Sequence, residues 1–140
     1  MTEISLSVSR VINAPSKAVF DAWLDPEMLK QFMIPGDSMV VPSATTDPTV
    51  GGRFEIVMRN GDQDLPHSGT YTEINPHSRI AFTWETPFSE TASNVAINFA
   101  PSGDGTAIEL SHVKFESEES RDNHETGWGK ILEALASVLG

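Results

Sequence analysis

The feature that most constrains this chain is the helical periodicity of its C-terminal segment. From His124 onward, Gly127, Trp128, Ile131, Leu135, Val138 and Leu139 fall on one apolar stripe, with Asp122, Thr126, Lys130 and Glu133 opposite. Ser117 is the expected N-cap, and Glu118 and Glu119 behind it complement the positive end of the helix dipole. A helix of that length runs roughly 30 Å at 1.5 Å per residue. It needs a broad apolar surface to lie on, and the preceding sequence supplies one only in the form of strands.

Those strands announce themselves by alternation. "ISLSVSRVI" sends Ile4, Leu6 and Val8 one way and Ser5, Ser7 and Ser9 the other. Further on, "GGRFEIVMR" puts Phe54, Ile56 and Met58 on one face and ends at Asn60-Gly61, a strong hairpin dipeptide. "SGTYTEI" runs into Asn75-Pro76. "RIAFTWET" aligns Ile80, Phe82 and Trp84, "SNVAINF" aligns Val95, Ile97 and Phe99, and "TAIELSHVKF" aligns Ile108, Leu110 and His112. Between the last two lies "PSGDG", a turn in which Gly103 and Gly105 are expected to supply positive φ.

Between the first strand and this meander, the period changes. In "NAPSKAVFDAWLDPEMLKQF", Pro15 suits a first helical turn and Val19, Phe20, Trp23 and Leu24 form a stripe. Asp25-Pro26 reads as an N-cap followed by proline at the first position of a second helix. The expected order is therefore one strand, two short helices, several strands and one long helix. That order predicts an α+β fold, a curved antiparallel sheet whose inner face receives the terminal helix.

Composition narrows the function. With 140 residues, 39% of them hydrophobic, the chain is expected to form a single domain over residues 1–140 around one core. The formal net charge of -11 opposes nucleic acid and anionic membranes, both of which require a positive field. No apolar run is long enough to cross a bilayer, and "MTEISLSVSR" lacks the pattern of a signal peptide, so a cytoplasmic location is expected. There is no cysteine, and His67, His77, His112 and His124 show no metal-ligand spacing; His67 and His77 stand beside prolines in expected loops. Neither metal nor cofactor is expected.

The segments "RVINAPSKAVFDAWLDPEMLKQF", "GGRFEI", "GTYTEINPHSRIAFTW", "GTAIELSH" and "HETGWGKILEAL" together resemble the START-like, helix-grip superfamily that includes the birch-pollen allergen. Within it they are most similar to the family named after the C-terminal domain of the Hsp90 ATPase activator. One departure is Phe32, where the family usually carries tryptophan, a change placed at the expected pocket entrance. In the eukaryotic co-chaperone a separate N-terminal domain does much of the work on the chaperone, and 140 residues leave no room for one. The resemblance therefore implies the superfamily's habit of holding lipids, hormones or aromatic metabolites between helix and sheet.

The expected lining of that space is Phe54, Phe82, Trp84, Phe99 and His112 from the sheet, with His124, Trp128 and Ile131 from the helix. A cavity of several hundred cubic ångströms is the usual scale for such a site. His112 has two readings, an acid-base group in the cavity or a core histidine satisfied by its neighbours. Trp128 is likewise either a packing residue or a ligand platform. Arg53 and Glu85 lie on the opposite strand faces, outside the core unless a bulge at Gly51-Gly52 turns them inward. Gly127 sits on the apolar stripe and admits close approach to the helix backbone, whereas Gly129 lies nearer the polar side with no such reason. The expected partner is a small hydrophobic molecule bound by a monomer or homodimer. Two alternatives from other classes remain: a co-chaperone-like module with a protein partner, and a cavity enzyme using His112 or His124.

Overall fold

The computed structural model describes residues 5–34, 39–85, 93–113 and 118–139. The expectations for Ile4 and Ser117, and for the side chains of Glu118 and Glu119, fall outside what it describes. Among the described residues, strand β1 (Ser5–Ile12) is followed by helices α1 (Ser16–Leu24) and α2 (Pro26–Phe32). Then come β2 (Met39–Thr46), β3 (Arg53–Asn60), β4 (Gln63–Asn75), β5 (Arg79–Trp84), β6 (Ser93–Ser102) and β7 (Gly105–Val113), and finally α3 (Glu118–Leu139). The strands form one antiparallel sheet in the order β1-β7-β6-β5-β4-β3-β2. This is the helix-grip arrangement.

The α1–α2 corner is built locally. Pro15 takes the N-cap position of α1, one residue earlier than a first-turn proline would sit. Buried Thr106 on β7 donates its hydroxyl to the Ala14 carbonyl at 2.8 Å and lies 3.2 Å from Ser16 Oγ, which ties the start of α1 to the sheet. Asp25 then caps α2, its carboxylate accepting the Glu27 N–H at 2.9 Å, with Pro26 just inside the helix. Both helices turn apolar faces inward: Val19, Phe20, Ala22 and Trp23 from α1, Leu29 and Phe32 from α2. Phe32 is fully buried and packs edge-on against Trp23, with ring centroids 5.0 Å apart. It is thus a core residue and does not stand at the pocket entrance expected for it.

Every strand face assigned by alternation is the inner one: Phe54, Ile56, Met58, Ile80, Phe82, Trp84, Val95, Ile97, Phe99, Ile108, Leu110 and His112 are all buried. Arg53 and Glu85 stay on the outer face, paired at 3.4 Å, so Gly51-Gly52 does not turn them inward. Gly103 has φ of 59°, as a hairpin turn demands. Gly105 does not share that conformation; a Cβ there would collide with the Ile12 carbonyl on β1, so the residue is small because a neighbouring backbone is close.

The sheet bends at β4. Its first half, Gln63 to Thr70, pairs with β3, and its second half, Tyr71 to Asn75, pairs with β5 across a register shift between Tyr71 and Glu73. Gly69 stands at the corner, where a side chain would meet the Thr83 carbonyl and the Phe54 ring. The outcome is a folded sheet with a concave inner face.

α3 covers that face unevenly. It packs on β1 and α2, and Trp128, Ile131, Leu132 and Leu135 are buried, whereas Val138 is exposed. Leu132, one turn after Trp128, joins the buried stripe, and Val138 near the helix end falls outside it. Among the described residues no helix is long and apolar enough to cross a membrane.

Candidate ligand-binding cleft

The helix leans toward β1 and α2, so its first half stands away from the β2–β5 arm of the sheet. A cleft of about 180 Å³ opens there. From the helix it is lined by His124, Gly127, Trp128 and Ile131, successive positions of one face. The sheet contributes Met39 from β2, Met58 from β3, Leu65 and His67 from β4, and Trp84 from β5. Gly127, without a side chain, leaves the helix backbone as part of the wall.

The volume corrects the expectation of several hundred cubic ångströms. At about 180 Å³ the space is close to the roughly 150 Å³ cavity that takes up benzene, and well below the range typical of drug-sized ligands. A single ring fills it.

Of the residues expected to line the space, Trp84, His124, Trp128 and Ile131 do. Phe54 and Phe82 are displaced into a narrow crevice deeper in the core, shared with Trp23, Leu29, Met33, Ile56 and Tyr71. Phe99 belongs to the other end of the molecule, edge-on to Phe20 of α1 at 5.7 Å between centroids. His112 lies behind the wall, fully buried.

Its hydrogen bonds define its state. Indole N–H groups only donate, so Trp128 Nε1 donates to His112 Nδ1 at 3.0 Å, and that nitrogen carries no proton. The neutral ring is therefore protonated on Nε2, which donates to Ser93 Oγ at 2.6 Å; the serine hydroxyl in turn lies 3.4 Å from the Trp84 carbonyl. Burial pushes the imidazole from its ordinary value near 6.5 down to about 3, and a positive charge on nearby His124 acts in the same direction. Protonation would set a second N–H against the indole donor. His112 is the satisfied core histidine of the two sequence readings, and its task is to lock Trp128 and Ser93 in place.

The histidine that sequence reasoning missed is His67. Pro66 marks a loop in a sequence reading, yet "QDLPHSGT" is the first half of β4, with Val57 opposite Pro66 and Ile56 opposite His67. Proline has no N–H to give to a ladder, and among the described residues that stretch pairs with β3 up to the isolated bridge between Ser68 and Glu85. The period-two series Leu65, His67, Gly69 and Tyr71 was the available signal. His77, by contrast, does lie in a turn, exposed and with φ of 63°.

His67 faces the cleft half-buried. Its Nδ1 is 2.9 Å from the Leu65 carbonyl, which can only accept, so Nδ1 carries the proton and Nε2 presents a lone pair. Among the described residues that Nε2 has no hydrogen-bond partner. Burial lowers this imidazole to about 4, outweighing the hydrogen bond to Leu65, so it is neutral near pH 7. Its ring lies over Trp84, 5.0 Å between centroids at 35°. The Trp84 indole N–H is itself buried without a hydrogen-bond partner among the described residues, so Trp84 offers the cleft ring carbon and no donor. His124 is half-buried on the opposite wall, edge-on to His112 at 5.3 Å. Among the described residues no group of three or more His, Cys, Asp or Glu side chains is placed to hold a metal ion.

Comparison with known proteins gives the fold a family. The sequence model of the family described as "Activator of Hsp90 ATPase homolog 1-like protein" matches residues 13–140. Among solved structures, protein CV1439 from Chromobacterium violaceum superimposes with a TM-score of 0.86 at 24% identity, covering 96% of each chain. Protein NE0264 from Nitrosomonas europaea gives 0.83 at 22% identity over 97% of this chain and 94% of that one. The AHSA1-like protein from Aeromonas hydrophila gives 0.80 at 23% identity, over 96% and 90%. A search of curated protein sequences finds no match.

Proposed function

The chain belongs to the activator of Hsp90 ATPase homolog 1-like family, and from that premise we propose that it binds a small aromatic molecule in the cleft between α3 and the β2–β5 arm. The observation that carries this reading is the imperfect closure of helix on sheet. A cleft of about 180 Å³ leaves largely apolar walls facing water, and a ring seated there removes that surface from water. Trp84, Trp128, Met39 and Met58 supply faces and sulfur atoms that favour a ring over an alkyl chain.

The enzyme reading is weaker on specific grounds. Of its two candidates, His112 has both nitrogens engaged, which leaves His124 on the cleft wall; His67, the other imidazole there, is a poor general base at neutral pH because burial holds it at about 4. No observation in the cleft favours the co-chaperone reading, and among the described residues the large apolar side chains left exposed, Val11, Val40, Val50 and Val138, lie in β1, β2, the β2–β3 turn and α3.

The experiment is calorimetric titration of benzene-sized aromatics into the protein and into Gly127→Leu, which fills the cleft from the helix side. Saturable one-site binding lost in the variant supports the proposal. Binding that survives the filled cleft, or no binding to either protein, overturns it.

A further inference from the structure

The geometry points to a phenolic hydroxyl as the polar group of the ligand, donating to Nε2 of His67 while the ring occupies the cleft. This inference rests on the reading of the cleft as an aromatic site and specifies what else the ligand must carry.

The argument is one of matching. The Leu65 carbonyl holds the His67 proton on Nδ1 at 2.9 Å, leaving Nε2 as an acceptor with no protein donor among the described residues. His67 is half-buried, yet among the described residues the side-chain atoms sealed away without a partner are Trp23 Nε1 and Trp84 Nε1, and this nitrogen is not one of them. It is therefore open to an incoming group. A ligand without a donor would strip water from that nitrogen and return nothing, a cost that an O–H avoids. The ring-sized volume keeps the donor short, attached directly to a single ring. A carboxylate is excluded at this position because it accepts only, and would face a lone pair instead of a proton. Stacking on Trp84 at 5.0 Å holds the imidazole plane in place, so the acceptor direction is preset before the ligand arrives.

The test compares phenol, anisole and benzoate by calorimetry near pH 7 with the wild-type protein and with His67→Phe. Anisole matches the ring and oxygen but lacks the donor. The expected result is that phenol is favoured over anisole in the wild type by about threefold to tenfold, the worth of one hydrogen bond. That preference vanishes in His67→Phe, and benzoate binds worst to the wild type. An independent readout that needs no variant is the ¹⁵N shift of His67 Nε2, which moves upfield when phenol, but not anisole, is added. If phenol and anisole bind alike, with the Nε2 signal unmoved, the hydroxyl inference fails while the aromatic site stands. If none of the three binds, both fail together.

Discussion

Replacing His112 with leucine tests the state assigned to a fully buried polar group. Leucine approximates the volume of the imidazole but removes the acceptor for Trp128 Nε1–H and the donor to Ser93 Oγ. An indole N–H left buried without a partner costs about 1–3 kcal/mol, and the lost bond to serine adds about 1. The variant is therefore expected to be about 2–4 kcal/mol less stable than the wild type near pH 8. The sign of the pH dependence follows from the lowered value. The folded imidazole takes up no proton until about pH 3, whereas the unfolded one titrates near 6.5, so between those values the unfolded state binds more protons. Stability arising from His112 is full above 6.5 and falls as the pH drops toward 3. At about pH 4.5 the loss approaches 3 kcal/mol in the wild type, and the leucine variant escapes it. Urea unfolding followed by far-UV circular dichroism at both pH values reads the difference directly, since other titrating groups cancel between the two proteins. The gap should shrink from several kcal/mol to near zero. A gap that stays constant from about pH 8 to pH 4.5 would refute the neutral, doubly bonded histidine.

Glycine substitutions give three further outcomes of different sign. Gly129→Ala should raise stability by about 0.5–1 kcal/mol, because nothing lies within 4 Å of the added Cβ; a fall in the thermal midpoint would show that something else occupies that side of α3. Gly69→Ala should cost more than about 3 kcal/mol, or prevent folding, since the new carbon meets the Thr83 carbonyl and comes within 2.7 Å of the Phe54 ring. Near-normal stability there would mean that β4 does not turn its corner as described. Gly127→Leu should keep the fold and lose the ring-binding heat, and native mass spectrometry of the freshly purified wild type should show a single-ring adduct that the variant lacks.

How far the sequence alone reached is clearest from individual residues. Period-two alternation placed Phe54, Phe82, Trp84, Phe99 and His112 on the inner face, and helical spacing placed Trp128 and Ile131 on the buried stripe. These are local facts, set by backbone geometry that repeats every two or 3.6 residues. Asp25-Pro26 was legible for the same reason, and Asn60-Gly61 to within one residue, since Asn60 still pairs with Gln63 and the loop is Gly61-Asp62; capping and turn chemistry act over a few residues. β2 carries no such signal: "MVVPSATT" does not alternate, and it is a strand because β3 offers it a ladder. The face of a strand also does not say what stands opposite it. Phe99 and Trp84 share the inner face but lie in different parts of the core, one against Phe20 and the other in the cleft wall. His67 was hidden by Pro66, which reads as a loop signal although that stretch pairs with β3 as the first half of β4. The pattern along the chain thus determined which side chains turn inward and the order of the elements. Where α3 leans, how large a gap it leaves and which histidine nitrogen looks into that gap were decided by contacts between residues tens of positions apart, and no local periodicity encodes a distance of that kind.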